Sequence, residues 1–458
     1  MRLASDMTQE KMRDLQDLIA IGRCDEVKNV LYGVELEPFQ TLLVKWILIV
    51  RKFICTLDTG LGKTLIASAV MKILHDSGET DKFLYVVENA GLIQTANKVM
   101  SYTGLRVVTC DATESKGSVL EYMKDDSYDV LMISYQAIQS FDVARYLIKH
   151  IELFDTVMYD ECQWISELNN SNTWEITKQM RRHFRDVVMF SATPFRTNPM
   201  QLLKQVELLD KSILGNINEY INGRVKRDVM YNIVEWYGLD EIKKDLVIYV
   251  NGFTREELGI KIEYNPVAHV VMPIQYQLSV EQHEIHKVKA FNNADSMKEL
   301  ISIVSEGVDD FKQGIIYCST NDNKRLLLDE LSKNGIDAEV IDGTISDKRK
   351  REEVKNRYLV GEIPVLIINV TTTLDLPSSY CIFYELCDAG TVNQFVGRCV
   401  RGLADTELDV HFILVDDTCE IEYFYNNLYK KSVYLQQALG KDGRLMHAIK
   451  KQVDNNVG

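Results

Sequence analysis

The sequence predicts an α/β protein built from two consecutive lobes, each with a parallel sheet. Short apolar runs of strand length alternate with segments of helical apolar spacing over residues 53–190, and a second such series covers residues 314–415. This alternation is typical of parallel strands with helices on both faces of the sheet. The chain has 458 residues, which is too long for one ordinary core. We therefore expect two stacked α/β lobes without a detectable sequence repeat between them.

Apolar runs of four to eight residues predict the strands. In the first lobe they are Phe53–Thr56, Phe83–Val87, Val107–Thr109, Val130–Ile133, Thr156–Tyr159 and Val187–Phe190. Helices are predicted at Thr64–Ser77, Gly91–Tyr102 and Gly117–Asp125. In the second lobe the predicted strands are Gly314–Cys318, Ala338–Ile341, Val365–Val370, Cys381–Tyr384 and Val410–Val415.

The same patterns suggest where the domains begin and end. Residues 1–30 form a short helical N-terminal extension, and residues 31–207 form the first lobe. Residues 208–273 lack clean α/β alternation and are predicted as an irregular bridging segment or insertion. Pro266 and Pro273 flank an extended stretch that fits a passage between lobes. The second lobe then covers residues 274–458.

Composition excludes several classes of protein. A formal net charge of −15 argues against a general nucleic-acid coat protein, although a local basic groove stays possible. Nine cysteines without a C-x-x-C pair favour free thiols in a reducing cytosol over disulfides or zinc. The polar N-terminus does not fit a signal peptide, and the apolar runs near it are too short to span a bilayer. We expect a cytoplasmic protein that binds no membrane.

The segment Asp58–Thr64 ends in the Gly-Lys-Thr of a phosphate-binding loop and lies between a predicted strand and a predicted helix. In such a loop backbone N–H groups cradle phosphates, the lysine reaches the β/γ-phosphates and the threonine hydroxyl binds Mg²⁺. A plain turn is the alternative, and Leu57 stands where the full pattern has glycine. The predicted nucleotide-binding residues are Thr59, Gly60, Leu61, Gly62, Lys63 and Thr64.

Asp160 and Glu161 follow the apolar run that ends at Tyr159, about 100 residues after the phosphate loop. Adjacent carboxylates suit a second contact to Mg²⁺ and the placing of an attacking water. A capping or solvated pair of acids is the alternative. With Lys63, the two acids predict a nucleotide triphosphatase in which Asp160 and Thr64 hold the metal ion.

The chain resembles superfamily two helicases and translocases, whose motifs occur in family order over residues 36–402. Gln40, in Leu36-Glu37-Pro38-Phe39-Gln40, resembles the glutamine that recognises adenine and therefore favours ATP over GTP. Ser191-Ala192-Thr193-Pro194 resembles the Ser-Ala-Thr motif, which is implied to link the nucleotide site to nucleic-acid binding. A surface glutamine and a helix cap are the respective alternatives. The resemblance implies two tandem RecA-like lobes.

Three further motifs of the second lobe carry the resemblance. Gly314–Thr320 resembles its opening strand, and Thr371–Pro377 resembles the next motif, with Thr373 where glycine is usual. Arg398 and Arg401 are three residues apart and are predicted on one helical face. The family implies that both complete the ATP site as arginine fingers, and a solvated basic face is the alternative. It also implies catalytic roles for Gln163 and Gln394 and a nucleotide contact for Asp375.

Nucleic-acid contacts follow from the resemblance alone. They are implied at strand ends, mainly to phosphates, by Asn89, Ser134, Tyr135, Ser191, Thr193, Thr320, Thr371 and Thr372. Hydroxyls and backbone N–H groups that hold phosphates read no sequence, so binding independent of sequence is expected. The expected cofactors are ATP and Mg²⁺, and the expected partner is single-stranded, forked or branched DNA. We expect a monomer, and other replication or recombination proteins are possible partners.

Within the family, the phosphate loop, the Ile133-Ser134-Tyr135 segment and Ser-Ala-Thr-Pro-Phe resemble Swi/Snf-type and phage recombination or branch-migration helicases. The compact length resembles phage-encoded enzymes that process forks and junctions, which would place the protein in a host cytosol. The prediction is an ATP-dependent DNA helicase or translocase that unwinds or branch-migrates DNA. Alternatives are an RNA helicase, a double-strand translocase that does not unwind, and a nucleic-acid-binding scaffold gated by ATP. A restriction motor is disfavoured because no nuclease or methylase constellation is evident.

Overall fold

The computed structural model describes residues 27–111, 121–122, 127–166, 171–272, 293–341, 348–369, 376–400 and 403–457. The chain divides into two compact units. The first comprises Met1–Leu258 and Gln437–Leu439, and the second comprises Gly259–Gln436 and Gly440–Gly458. Each unit has its own parallel sheet with helices, which confirms the predicted fold class. Most of the predicted N-terminal extension (residues 1–26 of 1–30) and most of the predicted helix at 117–125 lie outside the described residues.

The first unit is built on a seven-stranded sheet in the order β3-β4-β2-β5-β6-β1-β9, with every neighbouring pair parallel. Its strands are almost wholly buried, as expected for a parallel sheet covered on both faces. The strands are β1 (Lys52–Cys55), β2 (Phe83–Val87), β3 (Val107–Cys110), β4 (Val130–Ser134), β5 (Thr156–Asp160), β6 (Asp186–Phe190) and β9 (Val250–Asn251).

Helices connect these strands. They are α1 (Pro38–Val50), α2 (Lys63–Asp76), α3 (Leu92–Thr103), α4 (Tyr135–Gln139), α5 (Phe141–Lys149), α6 (Ser171–Met180) and α7 (Met200–Leu209). Short 3₁₀ turns occur at Asn89–Gly91, Ile151–Leu153, Cys162–Ile165 and Arg181–His183. Because β1 and β5 both pair with β6, the segments that follow these three strands meet at one carboxyl edge of the sheet.

The structure divides residues 208–273 differently from the predicted bridging segment. Residues 211–258 belong to the first unit and contain α8 (Lys211–Leu214), α9 (Ile217–Tyr220), the antiparallel hairpin β7 (Val225–Arg227) and β8 (Ile233–Trp236), α10 (Leu239–Leu246), and β9. The segment is attached to the sheet by β9, which pairs with β1, and by the Trp46 indole N–H, which donates to the Ile248 carbonyl at 3.0 Å. A two-residue strand is too short for an apolar pattern to predict.

The second unit has a six-stranded sheet in the order β10-β15-β14-β11-β13-β12, again with parallel neighbours. The predicted passage between lobes is part of β10 (Ile262–Val271), which pairs with β15 along its whole length. Pro266 is tolerated there because β10 is an edge strand. The second sheet therefore begins before residue 274, and the units divide at Leu258 and Gly259.

The remaining strands of this sheet are β11 (Gly314–Tyr317), β12 (Ala338–Ile341), β13 (Val365–Ile368), β14 (Tyr380–Phe383) and β15 (Thr406–Val415). The helices are α11 (Asn293–Asp309), α12 (Asn321–Lys333), α13 (Lys348–Leu359), α14 (Ala389–Cys399), α15 (Cys419–Tyr423), α16 (Lys430–Leu439) and α17 (Arg444–Asn456), with a π-helical turn at Phe424–Tyr429. A core cluster packs Leu300 and Val304 of α11 and Leu327 of α12 on Ile316 and Ile367.

Two further observations concern the chemistry of the whole chain. The eight cysteines within the described ranges are free thiols, and all of them except Cys419 are buried. Over the same ranges, no helix is both long and apolar enough to cross a lipid bilayer.

Candidate nucleotide site

The phosphate loop connects β1 to α2 and takes the form that its glycines allow. Gly60 and Gly62 have φ of +80° and +93°, in the left-handed region that favours glycine. Leu57, at the usual glycine position, has a fully buried side chain and so belongs to the core. Lys63 is the first residue of α2, and its Nζ donates to the Leu57 carbonyl at 3.3 Å. The loop therefore leads directly into the N-terminus of α2, where the N–H groups of the first turn favour an anion.

Gln40 lies against this loop. Its Nε2 donates to the Leu61 carbonyl at 2.9 Å, and its Oε1 accepts the Glu37 N–H at 2.9 Å. A Cβ atom on residue 62 would come within 2.4 Å of Nε2, so glycine is also required there by the glutamine. The amide therefore joins the start of α1 to the phosphate loop, and one N–H and one lone pair remain for a base.

Asp160 ends β5, and Glu161 follows it in the left-handed region at φ +49°. Such a conformation costs a non-glycine residue about 1–3 kcal/mol and is common at functional sites. Burial and the neighbouring Glu161 carboxylate raise the pKa of Asp160, while Lys63 and Lys98 oppose the rise. The two acids and Lys63 thus interact at the same edge of the sheet.

The donor set fits a hard divalent cation. Thr64 offers a hydroxyl and Asp160 offers a carboxyl group whose pKa is raised by burial and by Glu161, so a bound cation would favour its ionised form. Oxygen ligands of this kind are those that Mg²⁺ prefers. Within the described ranges, this site included, no cluster of three or more His, Cys, Asp or Glu side chains is placed to hold a metal ion.

A chain of buried hydrogen bonds connects Glu161 to the Ser-Ala-Thr segment. Gln163 Nε2 donates to Glu161 Oε2 at 2.9 Å, and Ser191 Oγ donates to Gln163 Oε1 at 2.6 Å. Ser191 Oγ in turn accepts the Thr193 N–H at 2.9 Å. Gln163, Ser191 and Thr193 are all buried. We call this chain the carboxylate relay; it fixes the orientation of the Glu161 side chain.

Gln205 of α7 is a site residue that the sequence did not reveal. Its Nε2 donates to the Pro194 carbonyl at 2.6 Å and to Ser166 Oγ at 2.8 Å, and it lies 3.3 Å from the Cys162 carbonyl. Cys162 Sγ donates to Gln205 Oε1 at 3.3 Å. One fully buried amide therefore holds together the segments that follow β5 and β6. The one feature of the sequence that could have indicated this role is a glutamine among the apolar residues of α7.

Ser134 and Tyr135, which the resemblance implies as nucleic-acid contacts, have side chains that are hydrogen-bonded within the first unit. Both residues are buried. Ser134 Oγ accepts the Ala137 N–H and so caps α4, while the Tyr135 hydroxyl donates to the Asp160 carbonyl at 2.8 Å. The Tyr135 hydroxyl thus supports the end of β5, and the nucleic-acid contacts implied for both residues stay predictions. Asn89, at the 3₁₀ turn after β2, is partly exposed.

In the second unit, Gln394 and Arg398 are buried residues of α14. The helix ends at Cys399, and Val400 is extended. The N–H groups of Leu376 and Ser378 donate to the Arg398 and Cys399 carbonyls at 3.1 Å each and so satisfy the last carbonyls of the helix. Arg401 lies outside the described residues, so the shared helical face of the two arginines stays a prediction.

Thr320 ends the segment after β11, and its hydroxyl donates to the carboxylate of Glu385. Glu385 also accepts the Ser319 N–H at 2.7 Å. Burial alone would raise the pKa of Glu385, but hydrogen bonds from Ser319, Thr320 and Asn323 lower it below its usual range. The hydroxyl implied for phosphate contact is thus engaged by a buried anion. The predicted contacts Thr371, Thr372 and Asp375, the unusual Thr373, and the side chain of Arg401 lie outside the described residues.

Comparison with known proteins gives a match to one family model over part of the chain and a similarity of fold. Residues 35–196 match the family model of the type III restriction enzyme, res subunit. No protein of curated function matches the chain. A solved structure of Saccharomyces cerevisiae Dbp5 bound to RNA and ADP BeF3 matches with a TM-score of 0.54 at 14% identity, covering 92% of this chain and 94% of that chain.

A second structure, the Sulfolobus solfataricus SWI2/SNF2 ATPase core in complex with dsDNA, matches at 14% identity with a TM-score of 0.45, covering 95% of this chain and 99% of that chain. The Dbp5 match extends through both units, and the family match falls within the first. In the tandem RecA-like fold of its two units, and in sequence over residues 35–196, the chain resembles superfamily two helicases and translocases, as its motifs predict.

Proposed function

We propose that the protein is an ATP-dependent motor that moves along or unwinds nucleic acid, and that its substrate is forked or branched DNA. The observation that carries the proposal is the carboxylate relay. It joins the acid pair beside Lys63 to Ser191 and Thr193. A movement of Glu161 when nucleotide binds or is hydrolysed would therefore shift the hydrogen bonds of the Ser-Ala-Thr segment. A nucleotide site that served only for storage would not need this connection.

The residues divide the chemistry as follows. Lys63 and the N–H groups of the loop hold the phosphates, and Thr64 with Asp160 holds Mg²⁺, which neutralises charge on the phosphate oxygens when bound. Glu161, oriented by Gln163, places the attacking water.

Arg398 and Arg401 are proposed to complete the site from the second unit when nucleotide is bound. An arginine that acts only in the closed state makes hydrolysis depend on closure. Repeated closure while both units hold phosphates would produce movement along the strand.

Substitution of Lys63 tests the nucleotide site. Lys63→Ala should abolish ATP hydrolysis, because the cation that faces the phosphates is lost. Lys72→Ala is the matched control, since it removes the same charge from the outer part of α2, where Lys72 pairs with Asp76 at 2.8 Å. Undiminished turnover in Lys63→Ala would refute the site.

DNA is proposed over RNA on the motifs, and an RNA helicase is the second candidate because the Dbp5 structure contains RNA. ATPase and unwinding rates should be compared on single-stranded DNA, forks, four-way junctions and RNA. Stimulation by forks and junctions supports the proposal, while stimulation by RNA alone replaces it.

A double-strand translocase and an ATP-gated scaffold each have a separate test. Labelled triplex displacement without unwinding would indicate a double-strand translocase. Failure of multiple-turnover displacement on every duplex or junction would favour a scaffold whose ATP cycle times release.

A further inference from the structure

The last segment of the first unit is hydrogen-bonded along the phosphate loop. The Tyr249, Asn251 and Phe253 carbonyls accept the N–H groups of Ile54, Thr56 and Asp58 at 2.7, 2.9 and 3.3 Å. We call residues 249–255 the strap. At Gly252 the two backbones approach so closely that a Cβ atom would lie 2.6 Å from the Thr56 carbonyl carbon. These main-chain hydrogen bonds fix the start of the loop.

The strap ends in a turn that holds Arg255 in place. The Thr254 N–H donates to Glu257 Oε2 at 2.8 Å, and the Glu257 N–H donates to Thr254 Oγ1 at 3.2 Å, which is a reciprocal capping arrangement. The Arg255 N–H donates to Asp58 Oδ2 at 2.9 Å. Phe253 packs edge-on against Phe39 with ring centroids 5.9 Å apart, next to Gln40. The backbone of Arg255 is therefore rigidly positioned beside the loop.

The Arg255 side chain lies over the loop itself. Its Nη2 is 2.8 Å from the position that a Cβ atom on Gly60 would occupy, and the residue is only 4% exposed. Gly60 is one of the residues whose backbone surrounds the phosphates in a loop of this type. The absence of a side chain at position 60 is what gives the guanidinium this place.

The main-chain bonds and the Asp58 carboxylate hold the strap against the loop. A guanidinium presents several donors in a planar fork that matches phosphate oxygens, and it stays protonated. Placed at an anion-binding loop, these properties point to the anion as the ligand.

We propose that Arg255 is a nucleotide-binding residue that contacts the phosphates of ATP from within the first unit. The inference rests on the proposed function, and it adds a cation to the loop that is distinct from Lys63 and from the arginines of the second unit. The hydrogen bonds of residues 249–253 to β1 and the start of the loop place this side chain beside Gly60.

The test is equilibrium binding of ATP and of inorganic triphosphate to the full-length chain. Arg255→Gln should weaken both ligands by the same factor, about 10- to 100-fold, because a charge-assisted contact to phosphate is lost while the backbone bonds remain. Arg255→Lys should recover part of the loss, since it keeps the charge but not the fork. Arg224→Gln is the control. Arg224 Nη2 lies 3.2 Å from Asp245 Oδ2, and this ion pair is not part of the phosphate loop.

Unchanged affinity for ATP in a folded Arg255→Gln variant would overturn the proposal. So would weaker ATP binding with unchanged triphosphate binding, which would indicate an effect on the nucleoside. If Arg255→Gln does not fold, Arg255→Lys decides, and affinity equal to that of Arg224→Gln overturns the proposal. Loss of hydrolysis in Lys63→Ala with normal binding by Arg255→Gln would reject this inference alone, whereas hydrolysis that survives Lys63→Ala would reject the proposed function.

Discussion

Ser191→Ala removes the hydroxyl at the centre of the carboxylate relay. That hydroxyl donates to Gln163 Oε1 at 2.6 Å and accepts the Thr193 N–H at 2.9 Å, and the site is fully buried. Without it, one acceptor and one donor stay buried without their partner. The Ser191 N–H still donates to the Cys55 carbonyl at 3.1 Å, so the backbone after β6 keeps its position. The effect should therefore be confined to the relay.

The size of the effect follows from the two lost bonds. Each of the two buried polar groups left without a partner costs about 1–3 kcal/mol, so the first unit should lose about 2–6 kcal/mol of stability. At about 2–4 °C per kcal/mol for a unit of this size, the melting temperature should fall by at least about 4 °C. Gln163 loses its hydrogen bond from Ser191 and no longer holds the Glu161 side chain in one orientation. If the activation free energy rises by about 1.4 kcal/mol as a result, ATP hydrolysis slows about tenfold.

The assay combines thermal unfolding with ATPase rates measured with and without DNA. Ser68→Ala is the matched control, because Ser68 is fully buried in α2 of the same unit and its hydroxyl has no hydrogen-bond partner among the described residues. That change should leave stability unchanged or slightly higher, since alanine is the better helix former. If Ser191→Ala and Ser68→Ala behave alike in both measurements, the relay has no energetic or catalytic importance.

Two further predictions concern other buried groups. Gln205→Leu should cost about 2–4 kcal/mol, because the Pro194 carbonyl and the Ser166 hydroxyl lose a partner, and a melting curve equal to wild type would contradict this. In the second unit, burial and repulsion from His269 lower the pKa of His411 to about 4. Since the unfolded chain binds this proton below pH of about 6.5 and the folded chain does not, stability should fall by up to about 3 kcal/mol as the pH is lowered from about 6.5 to about 4. Urea unfolding of His411→Phe should show a flatter profile over this range, and an unchanged slope would show that another group titrates.

The predictable part of the fold is the part with strong local patterns. Buried parallel strands occur in the sequence as short apolar runs, and each of the eleven predicted runs coincides with a strand whose described bounds lie within about four residues. Strand β10 was predicted as an extended passage between lobes, because its prolines are typical of a linker. Its pairing with β15 makes it part of the second sheet. The two residues of β9 carry no pattern of their own, since their place is set by contacts about 200 positions away.

The candidate site, like the fold, is only partly predictable from the sequence. Lys63, Asp160 and Glu161 are recognisable because their chemistry requires those residue types at strand ends. Their supports are not, because Gln205 and Arg255 act through contacts that no spacing reveals. Of the pair Arg398 and Arg401, the structure describes only Arg398, whose helix ends at Cys399 where Leu376 and Ser378 donate to its last carbonyls. The shared face of the two arginines stays a prediction.

The strap has a consequence for how this protein is made and cut. Residues 54–58 depend for their hydrogen bonds on residues 249–253, so the loop cannot be completed until about 200 further residues have left the ribosome. An expression fragment ending at residue 207, where the motifs of the first unit end, would expose the β1 edge and invite aggregation. A fragment intended to bind nucleotide by itself should instead run through Leu258.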